Sequence, residues 1–396
     1  MAVGVTFPAG FRAAGATGGI KASGRPDVAL VVADGPATAA GLFTRSRTAG
    51  AAVDLCRARL AATGGRARAV VVSSGNANVA TGPQGVADAE RMAALVAERI
   101  GLAADAVLVC STGVIGVPLP MERVEVGIRV ACGALAADGG AAAAEAMRTT
   151  DAFAKLAQHD LDLAGGAVRI GGIAKGAAMI RPDLGTMIAV VATDAAIDAE
   201  PLRRALAIAC DRSFNRVSVD GSTSTSDSAI VLAGGASGVR VGRADEARFA
   251  DALGEVCLEL ALAMVRDGEG ARRIGRYEVV GAASAADAER AARTVAEDQL
   301  VRCALHGADP NWGRIVAALG RCGADVDPAR IAIDLGGVAL ARQGCAVAGA
   351  QAAAAEAAAA AEVAVRIDLG IGSASAVVYG SDLSADYVRA NAEYST

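Results

Sequence analysis

The sequence predicts an α+β chain of layered sheets covered by helices. Short β-branched runs bounded by turn residues alternate with stretches of helical period along its whole length. Hydrophobic residues fill 53% of the 396 positions while aromatics fill only 3%, and Ala, Val and 48 Gly make up the difference, so the layers must pack small side chains at close range. No repeat of fixed period and no Pro- or Ser-rich linker divides the chain, although its length allows two or three lobes.

Val28–Val32 and Ala69–Val72 read as buried strands. Ala87–Ile100 reads as a helix, with Asp88 and Glu90 early and Arg99 late, the charge order that the helix dipole favours. Val107–Cys110 is a strand that enters the loop Ser111 to Pro118, and Met121–Ala137 and Ala141–Met147 are helical. Strands at Val168–Ile173 and Met187–Ala192 flank a Gly-rich connection from Lys175 to Gly185. A helix near Pro201–Cys210, strands at Arg216–Val219 and Ala229–Leu232, and a long helix over Ala244–Arg266 follow. The last third carries strands at Glu278–Val280, Ile331–Asp334, Val363–Ile367 and Ser375–Val378, with helices at Ala286–Leu305 and over the Ala-rich segment Ala350–Glu362.

Composition removes several function classes. Lys plus Arg number 38 against 43 Asp plus Glu, a net charge of −5, which gives no basic footprint for nucleic acid. The uncharged run from Ala69 to Ala87 contains Gly75, Asn76, Asn78, Gly82 and Pro83 and cannot span a membrane. Met1–Gly10 lacks the pattern of a signal peptide, so the expected location is cytoplasmic. Eight cysteines without any CxxC predict free thiols in a reducing compartment. With two histidines, His159 and His306, and no Cys/His cluster, no structural zinc site is expected, and both histidines read as exposed loop residues. No Lys follows a Gly, which excludes a Walker P-loop, and neither GxGxxG nor GxSxG occurs.

The most unusual segment is Gly171 to Met187, which joins Lys175, several glycines and the single hydroxyl of Thr186 ahead of an apolar strand. A Thr hydroxyl is a poor nucleophile without an adjacent base. Cutting the chain before it supplies one, because a free α-amine has a pKa of about 7.7–8.0. Taken alone, the segment reads first as a Gly-rich turn before a strand, with Thr186 an ordinary strand residue. Ser111-Thr112-Gly113 follows a strand and offers the uncrowded backbone N–H groups of an oxyanion hole, or an ordinary turn. Asp267-Gly268-Glu269-Gly270-Ala271 ends the long helix; capping explains the glycines but not the carboxylate between them. Asp309 to Arg314 places the only Trp, Trp312, in a polar turn, and Val219 to Asp227 forms a polar hairpin or loop.

Together these segments resemble the ornithine acetyltransferase family, the bifunctional enzymes of arginine biosynthesis that behave as N-terminal-nucleophile proteins. The resemblance spans nearly the whole chain. It rests on Ala14 to Lys21, Ala40 to Thr44, Ser74-Gly75-Asn76-Ala77-Asn78, Ser111 to Gly116, Thr149-Thr150-Asp151, Lys175 to Met187, Ser213 to Arg216, Val219-Asp220-Gly221, Asp267 to Ala271, Asp309 to Arg314 and the terminal Asn391 to Thr396.

The resemblance implies an ornithine acetyltransferase and aminopeptidase-like fold and self-cleavage between Gly185 and Thr186, into an α chain of residues 1–185 and a β chain of residues 186–396, assembled as an α2β2 heterotetramer. Thr186 would take the acetyl group of N2-acetylornithine and pass it to glutamate, its new α-amine serving as base. Thr112 and Gly113 match the oxyanion-stabilising pair. Thr149, favoured over Thr150, and Lys175, Thr186, Glu269, Asn391 and Thr396 match substrate-binding positions. A cation, a carboxylate and an amide suit a zwitterionic amino acid, whose charges must be paired when desolvated. No cofactor is implied; acetyl-CoA enters as a second acetyl donor. The chain departs from the family pattern at Gly185, where Ala is common, at Ala177-Ala178, where Ser-Gly or Gly-Gly is usual, and at Ser222, often Asp. The alternatives are an enzyme that uses acetylornithine alone, a related aminopeptidase or hydrolase, and an uncleaved binding protein.

Overall fold

The structure, a computed structural model, describes residues 1–181 and 187–393. It divides into two compact units, one of residues 1–215 and 223–264 and one of residues 216–222 and 265–393.

The first unit runs β1 (Phe11–Ala16), β2 (Val28–Ala33), β3 (Thr38–Phe43), α1 (Ala51–Ala62), β4 (Ala69–Asn76), α2 (Gly82–Ile100), β5 (Val107–Val114), α3 (Met121–Gly133), α4 (Gly140–Met147), β6 (Lys155–Leu163), β7 (Gly166–Lys175), β8 (Ile188–Thr193) and α5 (Ala199–Arg212). After β9 (Val217–Ser218), a strand of the second unit, it resumes with β10 (Ser228–Ala233) and most of α6 (Glu246–Arg266). Two sheets form, ordered β1-β2-β4-β5 and β3-β10-β8-β7-β6.

β2, and β4 from Ala69 to Val72, are apolar and buried, as a strand covered on both faces must be. Their alternating side chains enter two cores. Val28, Leu30, Val32 and Val71 pack under α2 and α3 with Met92, Val96 and Ile128. Ala29, Val31, Val70 and Val72 face α4 and the second sheet, meeting Met147, Ile173, Val190 and Ile230. On the outer face of that second sheet, Leu260 and Val256 of α6 come against Gly172 of β7. The unit is therefore layered helix, sheet, sheet, helix. Small residues set the spacing: a Cβ on Gly15 of β1 would lie 2.0 Å from the Ala142 carbonyl oxygen of α4.

The second unit contains β11 (Ile274–Ala282), α7 (Ala285–Glu297), α8 (Gln299–His306), α9 (Trp312–Leu319), β12 (Ala332–Leu335), β13 (Val338–Arg342), β14 (Cys345–Ala346), α10 (Gln351–Ala358), β15 (Glu362–Asp368), β16 (Ala374–Ser381) and α11 (Ala385–Glu393). One sheet, ordered β14-β13-β12-β15-β11-β16-β9, packs against α7 through a core that includes Tyr277, Val295, Ile333 and Ile367.

The α+β class and most of the expected elements are present, with several corrections. The single helix expected over Ala286–Leu305 is two, because Asp298 leaves helical geometry (ψ 123°) and its carboxylate accepts from the N–H groups of Leu300 and Val301, capping α8. The Ala-rich helix stops at Ala358, and Glu362 begins β15. The helix expected at Ala87 starts at Gly82, with Pro83 in its first turn, where a missing N–H costs nothing. The strand expected over Arg216–Val219 shortens to Val217–Ser218 behind a 3-10 turn at Phe214–Arg216. The histidines are not loop residues: His159 lies in β6, with Nδ1 3.2 Å from Glu255, and His306 ends α8, 2.7 Å from Asp382. All eight cysteines are free, and five of them are buried. Among the described residues no helix is long and apolar enough to cross a membrane, and no group of three His, Cys, Asp or Glu side chains is placed to hold a metal ion.

The Gly15 packing sets a stability expectation. Gly15→Ala forces β1 and α4 apart and should lower the unfolding free energy by about 1–3 kcal/mol, read as a fall in the denaturant midpoint at unchanged slope.

Candidate active site

β4 and β5 run parallel and in register, Gly75 opposite Gly113. Gly113 has φ +128°, and a Cβ there would stand 2.3 Å from the Gly75 backbone, so only glycine lets the two strand ends approach this closely. Immediately before it, Thr112 is buried and its Oγ1 lies 3.2 Å from Nζ of Lys175, the last residue of β7. An ammonium can only donate, so the Thr112 oxygen accepts and its own O–H is left available as a donor. That is the polarity an oxyanion site needs.

Lys175 is 5% exposed and sits among charges that make its burial possible. Asp151 is the centre of them. Its Oδ1 accepts from Lys155 Nζ at 2.7 Å and from the Gly176 N–H at 2.6 Å, and its Oδ2 accepts from the Thr149 N–H at 2.9 Å. Burial alone would raise the Asp151 pKa; the charges of Lys175 and Lys155 and the two hydrogen bonds overcome it and hold the carboxyl well below the usual range. Thr149 is held from its other side by Arg25, whose guanidinium donates to the Thr149 carbonyl at 2.9 Å. Lys21 donates to the carbonyls of Pro26 and Ala146, and burial, with help from Arg25 and Lys175, lowers its pKa to about 8. The three lysines of the sequence thus share one cluster.

In the second unit, Asp267 and Gly268 are buried, and Gly270 at φ +67° lets the first turn of α11 close in: a Cβ there would lie 2.5 Å from the Tyr387 nitrogen. This closeness brings Glu269 to Asn391, whose Nδ2 donates to the Glu269 carboxylate at 2.8 Å and to the Tyr387 carbonyl at 3.0 Å. The carboxylate between the glycines is therefore aimed by the turn. Trp312 opens α9, capped by the Asn311 side chain, and packs against the core of its unit.

Of the expected site residues, the structure gathers Thr112, Gly113, Thr149 and Lys175 in the first unit and pairs Glu269 with Asn391 in the second. Gly185, Thr186 and Thr396 lie outside the described residues. Asp151, Lys155, Lys21 and Arg25 were not singled out as functional residues from the sequence. The available signal was the rarity of Lys, three among 38 cations.

A model of the ArgJ family matches residues 12–396. The chain is 48% identical over 401 aligned positions to the arginine biosynthesis bifunctional protein ArgJ of Symbiobacterium thermophilum, covering 100% of this chain and 99% of that protein. It is 44% identical over 393 positions to the protein of the same description from Parasynechococcus marenigrum, covering 99% and 95% of the two chains. Among solved structures, the ornithine acetyltransferase of Mycobacterium tuberculosis complexed with ornithine is 43% identical, with a TM-score of 0.42 over 46% of this chain and 95% of that one.

Asp151→Asn leaves buried lysine charge unanswered and should cost about 3–5 kcal/mol at neutral pH. Because the folded pKa is depressed, the wild-type advantage is complete above the unfolded value, about 3.9, and is lost as pH falls through the lower folded value. Thermal unfolding of both proteins at neutral and acid pH checks this: the gap in melting temperature should be present at pH values above the ordinary carboxyl range and close only in strong acid.

Proposed function

The chain belongs to the ArgJ family, and we propose that it transfers an acetyl group from N2-acetylornithine to glutamate through an acetyl ester on Thr186, and also acetylates glutamate from acetyl-CoA. The family match supports the pathway, and the bifunctional description of the relatives supports the second donor. The buried Thr112–Lys175 pair is the observation that supports the chemistry.

In this reading the bond before Thr186 is first cut, giving chains of residues 1–185 and 186–396 that remain together in an α2β2 assembly. The Thr186 hydroxyl adds to the acetyl carbonyl while its proton passes to the new α-amine. Negative charge on the acetyl oxygen meets the Thr112 hydroxyl, which Lys175 holds as a donor, and the Gly113 N–H. The C–N bond breaks, ornithine nitrogen takes the proton back, and the acetyl group stays on Thr186. The amine of glutamate then attacks the ester by the reverse sequence. Substrate binding is assigned to Thr149, Lys175, Glu269, Asn391 and Thr396, and the protein to the cytoplasm, which the free cysteines suit. No cofactor enters the sequence of steps. A hydrolase would release acetate instead, with water in place of glutamate.

The test is acetylglutamate formation with each donor alone. Wild-type protein should run as two pieces on a denaturing gel and use both acetylornithine and acetyl-CoA; Thr186→Ala should stay one uncut, inactive chain, and Thr186→Ser should cut. Activity with acetylornithine alone would reduce the assignment to a monofunctional transferase, and stoichiometric acetate release would make it a hydrolase. Thr112→Ala should lower kcat by about a hundredfold to a thousandfold with little change in KM; a pure KM effect would move Thr112 to substrate binding.

A further inference from the structure

The connection between β1 and β2 carries two cations that the acetyl transfer leaves without a task. It is wrapped around Asp27, whose buried carboxylate accepts from the N–H groups of Gly18 and Ile20 at 2.6 Å, Gly19 at 3.0 Å and Lys21 at 3.3 Å. A turn follows, in which the Gly24 N–H donates to the Lys21 carbonyl at 3.1 Å and Gly24 takes φ +71°, a conformation that glycine adopts freely. This folding brings Lys21 and Arg25 back onto α4 and the turn after it. Lys21 Nζ donates to the carbonyls of Pro26 and Ala146 at 2.6 and 3.2 Å, and Arg25 donates to that of Thr149 at 2.9 Å.

Carbonyl dipoles leave these charges uncancelled, and the carboxylates nearby are already engaged. Asp27 is spent on main-chain N–H groups, and Asp151 answers Lys155 at 2.7 Å together with the N–H groups of Gly176 and Thr149. Arg148, a further cation of the same turn, is paired with Glu145 at 2.6 Å. Lys21, Arg25, Lys155 and Lys175 therefore face only two carboxylates, Asp27 and Asp151. Burial lowers the Lys21 pKa to about 8, opposed by Asp27 and Asp151 and reinforced by Arg25 and Lys175, as happens in a cluster short of negative charge. A guanidinium has five N–H donors and an ammonium three. Among the described residues the Arg25 side chain spends one of them and that of Lys21 two. Both residues are half-buried, so the remaining donors are open to a solute.

We propose that Lys21 and Arg25, beside Lys175, form the subsite for the α-carboxylate of the amino-acid substrate. This rests on the acetyl transfer proposed above. In an N2-acetylated amino acid the carbon that bears the α-carboxylate is bonded directly to the acylated nitrogen. An acetyl oxygen seated against Thr112 therefore leaves the carboxylate close by. Lys175 Nζ is 3.2 Å from the Thr112 Oγ1, and its charge is felt at Lys21, so the surplus of positive charge begins where the carboxylate must fall. One subsite serves donor and acceptor alike, because acetylornithine and glutamate share the α-carboxylate and differ only beyond it. A carboxylate there restores the balance of charge, and the planar guanidinium can take both of its oxygens.

The experiment measures inhibition of acetyl transfer by ornithine and by putrescine, its decarboxylated counterpart, in wild-type protein, Arg25→Gln, Arg25→Lys and Lys21→Met. Loss of a charged hydrogen bond should weaken ornithine by about tenfold to a hundredfold in Arg25→Gln and leave putrescine as it was. The KM for acetylornithine should rise with kcat little changed, and Arg25→Lys should recover part of the loss. Lys21→Met should behave as Arg25→Gln does; should it fail to fold without its contacts to Pro26 and Ala146, the half-exposed Arg25 position still decides. Equal weakening of ornithine and putrescine, or of neither, would overturn the proposal. So would a loss seen with glutamate but not with 2-aminobutyrate, an acceptor that keeps the α-carboxylate and lacks the second one, since the side-chain carboxylate would then occupy the subsite. Wild-type protein that moves no acetyl group from acetylornithine to glutamate would instead remove the reading beneath it.

Discussion

A buried carboxylate must be either paired or neutral, and much of the first unit is arranged around one that is paired. Asp151 draws together the turn after α4 through Thr149, the start of β6 through Lys155 and the end of β7 through Gly176. Its negative charge faces the buried Lys175, whose Nζ in turn donates to the Thr112 hydroxyl oxygen. Removing any member leaves a charge or dipole facing a medium that cannot solvate it. The chain carries 35 arginines, so its three lysines stand out. A compact ammonium fits the point of approach to one hydroxyl or one carboxylate oxygen, where a planar guanidinium would need more room.

The second constraint is distance. Gly113 against Gly75, Gly15 against Ala142 and Gly270 against Tyr387 are places where backbone meets backbone or a helix meets a strand with no space for a Cβ. With few aromatics to fill gaps, the interior gains its density from such close approaches instead of from bulk. Each unit inherits this by itself: the end of β5 lets the short Thr112 side chain meet Lys175 in the first, and the turn before β11 lets the Asn391 amide reach Glu269 in the second.

The sheets were legible where apolar runs were continuous, as in β2, β4 and β10, since burial on both faces leaves no competing pattern. β1, β3 and β6 were not found because Gly, Ala, Thr and charged residues within them weaken the strand signal, and tertiary pairing supplies what propensity lacks. The break at Asp298 was readable in principle as a capping residue followed by an apolar run. Of the candidate residues, Thr112 and Lys175 in the first unit and Glu269 and Asn391 in the second could be named from order along the chain and family resemblance. Asp151 and Lys155 form a pair four residues apart whose burial no local pattern reveals, and Lys21 and Arg25 look like any loop cations until the end of α4 and the turn after it close on them.

The strand order β3-β10-β8-β7-β6 places residues from before and after position 185 side by side. β3, β7 and β6 come from the earlier part and β10 and β8 from the later, so a cut between Gly185 and Thr186 leaves two polypeptides joined along two ladders, β3 with β10 and β8 with β7. Neither piece owns the whole of this sheet. Such a cut would be a one-way act: the intact chain would dictate the pairing, and with the covalent tether gone the halves would retain no instruction for finding each other beyond the edges they already share. Denatured and separated, they would face a bimolecular search through exposed apolar strands, so the enzyme's lifetime would be set by how slowly it comes apart and not by how well it can re-form.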